Sequence, residues 1–228
     1  MRVMRLRSTK IPEDAVHHPV FARIYARMSV AAETGAGLAA VRSELLAGLS
    51  GRIIDIGAGN GLNFAHYPPS VSEVVAIEPE RSLRQLAVAL ALRAGIPVDV
   101  VPGTAEALPV KSEAFDGAVT SLVLCTVRNV ERSLTEIVRV LRPGAELRFF
   151  EHVRADDRVM AATQRALDRT VWPLLAGGCH TARDTLAAIE RAGFTVETYR
   201  RVRMPDWGFR LPTSDCVLGV ARRPAVLD

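Results

Sequence analysis

Two acids and three glycines carry the chemistry that can be read first from this chain. Asp55 closes the β-branched run Ile53-Ile54, and Gly57, Gly59 and Gly61 follow at every second position, with Ala58 and Asn63 among them. The pattern predicts a strand, a tight loop and a helix starting near Gly61. Glycine accepts backbone angles closed to other residues and lets a ligand approach the main chain. The helix would aim unpaired amides and a positive dipole end at that ligand, so a small anionic or nucleoside-like molecule fits there. A plain tight turn is the alternative reading of the same glycines.

The second acid, Glu78, ends the apolar run Val74 to Ile77 and precedes Pro79, which suits a helix start. In an open parallel sheet, ligands bind across the carboxyl ends of the strands, and an acid there can accept both hydroxyls of a ribose. Glu78 also fits a simpler role as an acid near a helix N-terminus. The glycine spacing is not the G-x-G-x-x-G of dinucleotide sites, because the third glycine comes one residue early. Farther on, His152 ends another apolar run. Histidine titrates near neutrality and could act as a general base there, or simply hold a structural hydrogen bond.

The elements that must position these groups alternate. Phe21, Ile24, Tyr25 and Met28 share one face of a predicted helix, which either docks on the core or forms a lid, and a second helix is expected over 36–49. Strands are expected at 73–77, 98–101, 115–122 and 145–151. Tyr67-Pro68-Pro69 stops the helix after the glycine loop, and Asn129 caps a helix that reaches Leu141. Repeated strand-then-helix units mean a parallel α/β sheet with helices on both faces. A helix is drawn over 156–168, and Thr181 to Asp184 reads as a capping box for another. The last two strands, 195–203 and 214–222, have no room for a crossover, so the final strand pairs antiparallel.

Length and composition set limits on the class. The chain has 228 residues, 49% of them hydrophobic, which suits one α/β core. The run from Gly117 to Val127 is too short to span a bilayer, and no secretory signal is recognisable, so a cytoplasmic protein without a membrane span is expected. Cys125, Cys179 and Cys216 are far apart and form no C-x-x-C pair. Buried reduced thiols are expected, with no metal. The net charge of +4 rests almost entirely on arginine. No dense aromatic interleaving accompanies clusters such as Arg200, Arg201 and Arg203, which favours a solvated face over a nucleic-acid groove.

Asp55, Gly57, Gly59 and Gly61 resemble motif I, D/E-x-G-x-G-x-G, of class I S-adenosylmethionine-dependent methyltransferases. The order of glycine loop, second-strand acid, Ala105-Glu106-Ala107-Leu108-Pro109, Phe115-Asp116, Leu141-Arg142-Pro143-Gly144 and terminal hairpin is similar to that superfamily over about Gly51 to Arg223. Within it, the glycine loop with Tyr67-Pro68-Pro69, Leu122-Val123-Leu124-Cys125 and Glu151-His152-Val153 resemble the methyltransferase-like 7 group of alkyl thiol methyltransferases and its bacterial relatives. So does the later run with Gly178-Cys179 and Thr181 to Arg183. Animal members begin with a long apolar anchoring segment that is not seen here, and Glu78 stands where many relatives carry Asp.

The resemblance implies a Rossmann-like methyltransferase domain over 51–223 behind an N-terminal helical lid or cap over 1–50, with S-adenosylmethionine as cofactor. Gly57, Gly59 and Gly61, with Ala58, Asn63 and Pro79 near them, would approach the methionine and ribose. Asp55 would orient the loop and help hold the ammonium, and Glu78 would bind the ribose. Ala105 and Glu106 would lie beside adenine, although a surface turn explains them equally, and Ser121 would sit at the rim. Phe21, Tyr25, Leu122 and Cys125 suggest an apolar pocket for a small-molecule acceptor.

A thiol acceptor is partly ionised near neutrality and makes a dedicated base optional. A phenol or alcohol would depend on His152, with Tyr25 and His18 as weaker candidates. Asn/Asp-Pro-Pro-aromatic and Pro-Cys motifs, which nucleic-acid enzymes use, are replaced by Ser121-Leu122-Val123-Leu124-Cys125. A nicotinamide enzyme conflicts with the glycine spacing, while a non-catalytic cofactor-binding domain fits the same motifs.

Overall fold

The computed structural model describes residues 19–205 and 208–225. His18 lies outside the described residues. The strands are β1 (Gly51–Ile56), β2 (Val71–Ile77), β3 (Val98–Val101), β4 (Phe115–Ser121), β5 (Leu141–His152), β6 (Thr195–Arg203) and β7 (Asp215–Arg222). They form one seven-stranded sheet in the order β3-β2-β1-β4-β5-β7-β6. The first five run parallel, and β7 lies antiparallel between β5 and β6. The helices are α1 (Pro19–Gly35), α2 (Leu38–Leu46), α3 (Arg81–Ala91), α4 (Val130–Val140), α5 (Arg158–Asp168), α6 (Trp172–Leu175) and α7 (Thr185–Arg191).

Consecutive apolar residues on the strands supply two cores, because neighbouring side chains point to opposite faces. Ile54, Val75 and Phe149 join Leu134 and Ile137 of α4 and Ile189 of α7 on one face. Ile53, Val74 and Phe150 join Val41, Leu45 and Leu46 of α2 and Ala87 of α3 on the other. Side chains of α2 therefore belong to this second core.

Local differences from the sequence reading have local causes. Gly61, in the left-handed region at φ 85°, leads only into a 3-10 turn, Leu62–His66, because the Tyr67-Pro68-Pro69 segment leaves no room for a longer helix. The cap of α7 is Asp184, which accepts the Ala187 amide at 3.3 Å, and not Thr181. The Thr181 amide donates to the Asp168 carboxylate at 2.8 Å and so ties this loop to the end of α5. On α1 the inward face is Ala22, Tyr25 and Ser29 with Phe21, while Ile24 and Met28 are exposed. Tyr25 packs on Gly59, Phe21 on Gly177, and Ser29 takes the Asn60 side chain, which leaves Ile24 and Met28 on the outer face. Among the described residues, no helix is long and apolar enough to cross a membrane.

Candidate functional site

Asp55, Glu78, Ser121 and His152 arrive at one edge of the sheet because each ends, or nearly ends, a parallel strand, where topology brings loops together at the carboxyl side. Gly57, Gly59 and Gly61 have φ of 67°, 59° and 85°. A Cβ on Gly57 would stand 2.6 Å from Val123, and one on Gly61 2.6 Å from the Phe64 ring. The glycines let the chain turn while β4's following loop and the 3-10 turn close in behind it.

The loop spends its amides internally. Gly57 and Ala58 donate to the Ile77 carbonyl at 2.7 and 3.0 Å, Gly61 donates to Ala58 at 2.9 Å, and Gly59 donates to Glu78 at 2.7 Å. With only a short 3-10 turn behind it, the expected anion cradle of free amides is not what the loop presents. Two buried acids are presented instead. Glu78, 4% exposed, also accepts the Glu80 amide at 2.8 Å, and burial pushes its carboxyl up to about 7 against those two hydrogen bonds. Asp55, 1% exposed, accepts both contacts from Asn63 at 3.2 and 3.0 Å, and burial raises it to about 6. Acids that pay for desolvation this way suit a ligand bearing donors, such as an ammonium and ribose hydroxyls, and do not suit a pyrophosphate.

Residues from the N-terminal helices complete this half. Arg42 donates to the Asn63 side-chain oxygen at 2.6 Å and pairs with Glu33 at 2.7 Å, which fixes the amide that faces Asp55. Ser29 accepts from Asn60 at 3.1 Å. The Tyr25 ring lies against Gly59, 3.4 Å from where a Cβ would stand, and stacks on Phe21 with centroids 5.7 Å apart. Arg42 was not singled out from sequence, since an arginine at helical spacing carries no signal until its partners are known.

The adenine-side candidates occupy a second loop. Ala105 is buried, while the Glu106 carboxylate accepts the Arg128 amide at 3.0 Å and so joins this loop to the start of α4. Pro79 is half-buried beside Glu78, and Arg84 donates to the carbonyls of both at 2.9 and 3.0 Å.

The candidate acceptor-side loop is built around Glu151, which is fully buried. Its carboxylate accepts the amides of Val123 at 3.2 Å and Cys125 at 3.1 Å, which holds the loop after β4 in place. Burial pushes Glu151 up while those amides pull it back. Leu122, at φ 61°, turns the chain there and donates to the Phe150 carbonyl at 2.7 Å. Arg183 reaches the carbonyls of Leu124 and Val127 at 2.5 and 2.7 Å, and His180 donates its amide to Cys125 at 2.8 Å. The loop before α7 is thereby fastened to the loop after β4.

This fastening overturns the separation of the cysteines read from sequence. The sulfurs of Cys125 and Cys179 stand 3.5 and 3.4 Å from Nδ1 of His152. A hydrogen bond from Cys125, aided by His152, lowers the Cys179 thiol to about 5, and the same hydrogen bond raises Cys125. Cys179 and Glu151 were missed as site members: both appeared only as parts of family-like runs, and neither loop's partner is visible in sequence.

Similarity to known proteins bears on the family. A methyltransferase-domain family matches residues 54–149. Human thiol S-methyltransferase TMT1A is 33% identical over 164 residues, which cover 70% of this chain and 67% of that protein. Mouse thiol S-methyltransferase TMT1B is 33% identical over 181 residues, covering 77% and 73%. The N-methyltransferase NodS from Bradyrhizobium japonicum, solved with S-adenosylhomocysteine, is 18% identical with a TM-score of 0.61, covering 81% of this chain and 83% of that one, and shares the fold. An edge of donor-seeking acids on a Rossmann-like sheet and this degree of identity lead to one conclusion: the chain belongs to the class I S-adenosylmethionine-dependent methyltransferases, in the group that includes the thiol S-methyltransferases.

Proposed function

We propose that this methyltransferase methylates the sulfur of a small, rather apolar thiol. The observation that carries the reading is its 33% identity to a thiol S-methyltransferase over most of both chains. Apolar side chains at the carboxyl edge support it: Leu122 follows β4 there, and Tyr25 of α1 lies against Gly59 and stacks on Phe21. When bound, S-adenosylmethionine supplies an activated methyl group on a sulfonium.

The protein's task is then to bind, orient and exclude water. Asp55 and Glu78 take the ammonium and the ribose hydroxyls over Gly57, Ala58, Gly59 and Gly61, with Asn63 holding Asp55. Pro79, Ala105 and Glu106 flank the adenine, and Ser121 borders the methionine end. The segment before β1 contributes the cap through α1, a lid whose Tyr25 and Phe21 keep water from the acceptor. The acceptor's S–H proton leaves to solvent before transfer, and a thiol with a pKa of about 8.5 needs little help to lose it. His152 is the side chain on which a phenol acceptor would lean.

Initial rates with matched alkyl thiol, phenol, amine and short oligonucleotide acceptors test the reading. The thiol should be fastest, with a rate that rises with pH until the bound thiol is fully ionised. Preference for any other acceptor refutes the thiol assignment and leaves the methyltransferase fold untouched.

A further inference from the structure

We infer that Cys125, His152 and Cys179 form a zinc(II) site with one open position at the acceptor edge. Both sulfurs converge on the same ring nitrogen, Nδ1 of His152, at 3.5 and 3.4 Å, and all three candidate ligand atoms lie within 4.8 Å of one another. One imidazole nitrogen has one in-plane position, either a lone pair or an N–H, so it serves one sulfur well at a time, and hydrogen bonding must close the cluster through the Cys125–Cys179 contact instead. A cation between the three satisfies all of them. A tetrahedral zinc about 2.3 Å from sulfur and about 2.0–2.1 Å from nitrogen sets each S···N edge at about 3.6 Å, close to both observed separations.

The ligands are also fixed in advance. Cys125 is held by the Glu151 carboxylate on its amide, at 3.1 Å, and by the His180 amide on its carbonyl, at 2.8 Å. His152 ends β5, paired with Cys216 across the sheet. Cys179 follows Gly178, where a Cβ would stand 2.6 Å from the Thr126 carbonyl oxygen, so only glycine lets the two loops meet this closely. Two thiolates and an imidazole are a donor set for zinc in preference to magnesium or calcium.

Among the described residues, the group holds three ligands and no fourth His, Cys, Asp or Glu. Closed structural zinc sites use four protein ligands, and sites with three keep a position for substrate. That position suits the acceptor's sulfur, a role that rests on the thiol reading above. On coordination the acceptor's S–H bond breaks, its proton goes to solvent, and the sulfur's electron pair forms the bond to zinc. The thiolate is then held, dry and ionised, beside the bound cofactor.

The full chain, purified reduced and without chelators, should retain up to one zinc per molecule by mass spectrometry. After zinc removal, cobalt(II) should give thiolate-to-cobalt charge-transfer bands and the visible bands of a four-coordinate ion, which zinc chases away. Cys125→Ser and Cys179→Ser should each lose charge-transfer intensity, and His152→Gln should lose retained zinc, while Cys216→Ala should keep both. Calorimetric binding of S-adenosylhomocysteine by each variant shows that it is folded. Absence of cobalt bands, bands unchanged in the variants, or a Cys125–Cys179 disulfide under these reducing conditions overturns the site. An added alkyl thiol should contribute new charge-transfer intensity, and none would overturn the open position. Thiol methylation by a protein without cobalt bands would sink the zinc site and spare the thiol reading. Cobalt bands in a protein that methylates no thiol would do the reverse.

Discussion

Changing pH should tune cofactor affinity through Glu78, and Glu78→Gln should remove that tuning. Burial raises the Glu78 carboxyl from 4.5 to about 7, although two amides favour its charged form. The folded acid therefore holds its proton more tightly than the unfolded one. Its contribution to the free protein's stability is fully present below about pH 4.5 and is lost as pH rises to about 7, a change of about 3 kcal/mol at about 1.36 kcal/mol per pH unit. Ribose hydroxyls donate to the ionised carboxylate, so binding runs the other way. Below about pH 7 each unit should weaken affinity by about tenfold, and above it affinity should level off. Glu78→Gln should cost about 1.5–3 kcal/mol of affinity at the alkaline end, the worth of charge-assisted hydrogen bonds, and should flatten the limb near neutrality. Asp55, raised to about 6, leaves a lower limb in both proteins. Titration calorimetry with S-adenosylhomocysteine, in buffers of different ionisation heat, reads both the affinity and the protons released. Wild-type affinity that is flat with pH, or a slope unchanged in Glu78→Gln, would falsify this account and leave Glu78 as an acid that only organises the start of α3.

Gly57→Ala should destabilise the protein by about 2–4 kcal/mol in urea unfolding, from left-handed strain plus overpacking. Its Cβ would stand 2.6 Å from Val123 at φ 67°, so adding Val123→Ala should recover the packing part only, and full recovery would exclude backbone strain. Arg42→Leu removes the guanidinium that stands 2.7 Å from Glu33 and 2.6 Å from the Asn63 amide oxygen, leaving Glu33 only His66 at 3.7 Å, and should cost about 2–4 kcal/mol. A loss near zero would mean that these buried partners find water instead. Tyr25→Ala uncovers Gly59 and should speed S-adenosylhomocysteine release by about tenfold or more in stopped flow, since a buried large side chain is worth about 1.5–3 kcal/mol. An unchanged off-rate would remove α1 from its lid role.

The sequence by itself determined the sheet and which acids meet at its carboxyl edge. Ile53-Ile54 and Val74 to Ile77 are β-branched runs that end in Asp55 and Glu78, and a parallel α/β order brings strand ends together whatever lies between them. The short connection before β7 likewise forced its antiparallel pairing, because chain length limits the crossovers that a segment can make. Hydrogen-bond partners were decided only in three dimensions. The glycine-loop amides went to Ile77 and Glu78, which changed the loop from an anion cradle into a turn that presents two acids. Which face of α1 turned inward was also settled there, since Tyr25 packs on Gly59 and Ser29 bonds Asn60, which leaves Ile24 and Met28 outside. Cys125 and Cys179 met at His152 because Arg183, His180 and Gly178 pinned one loop to another. Local pattern and propensity act over a few residues and so can be read along the chain, whereas contacts between loops more than fifty residues apart exist only once the sheet has brought their ends together.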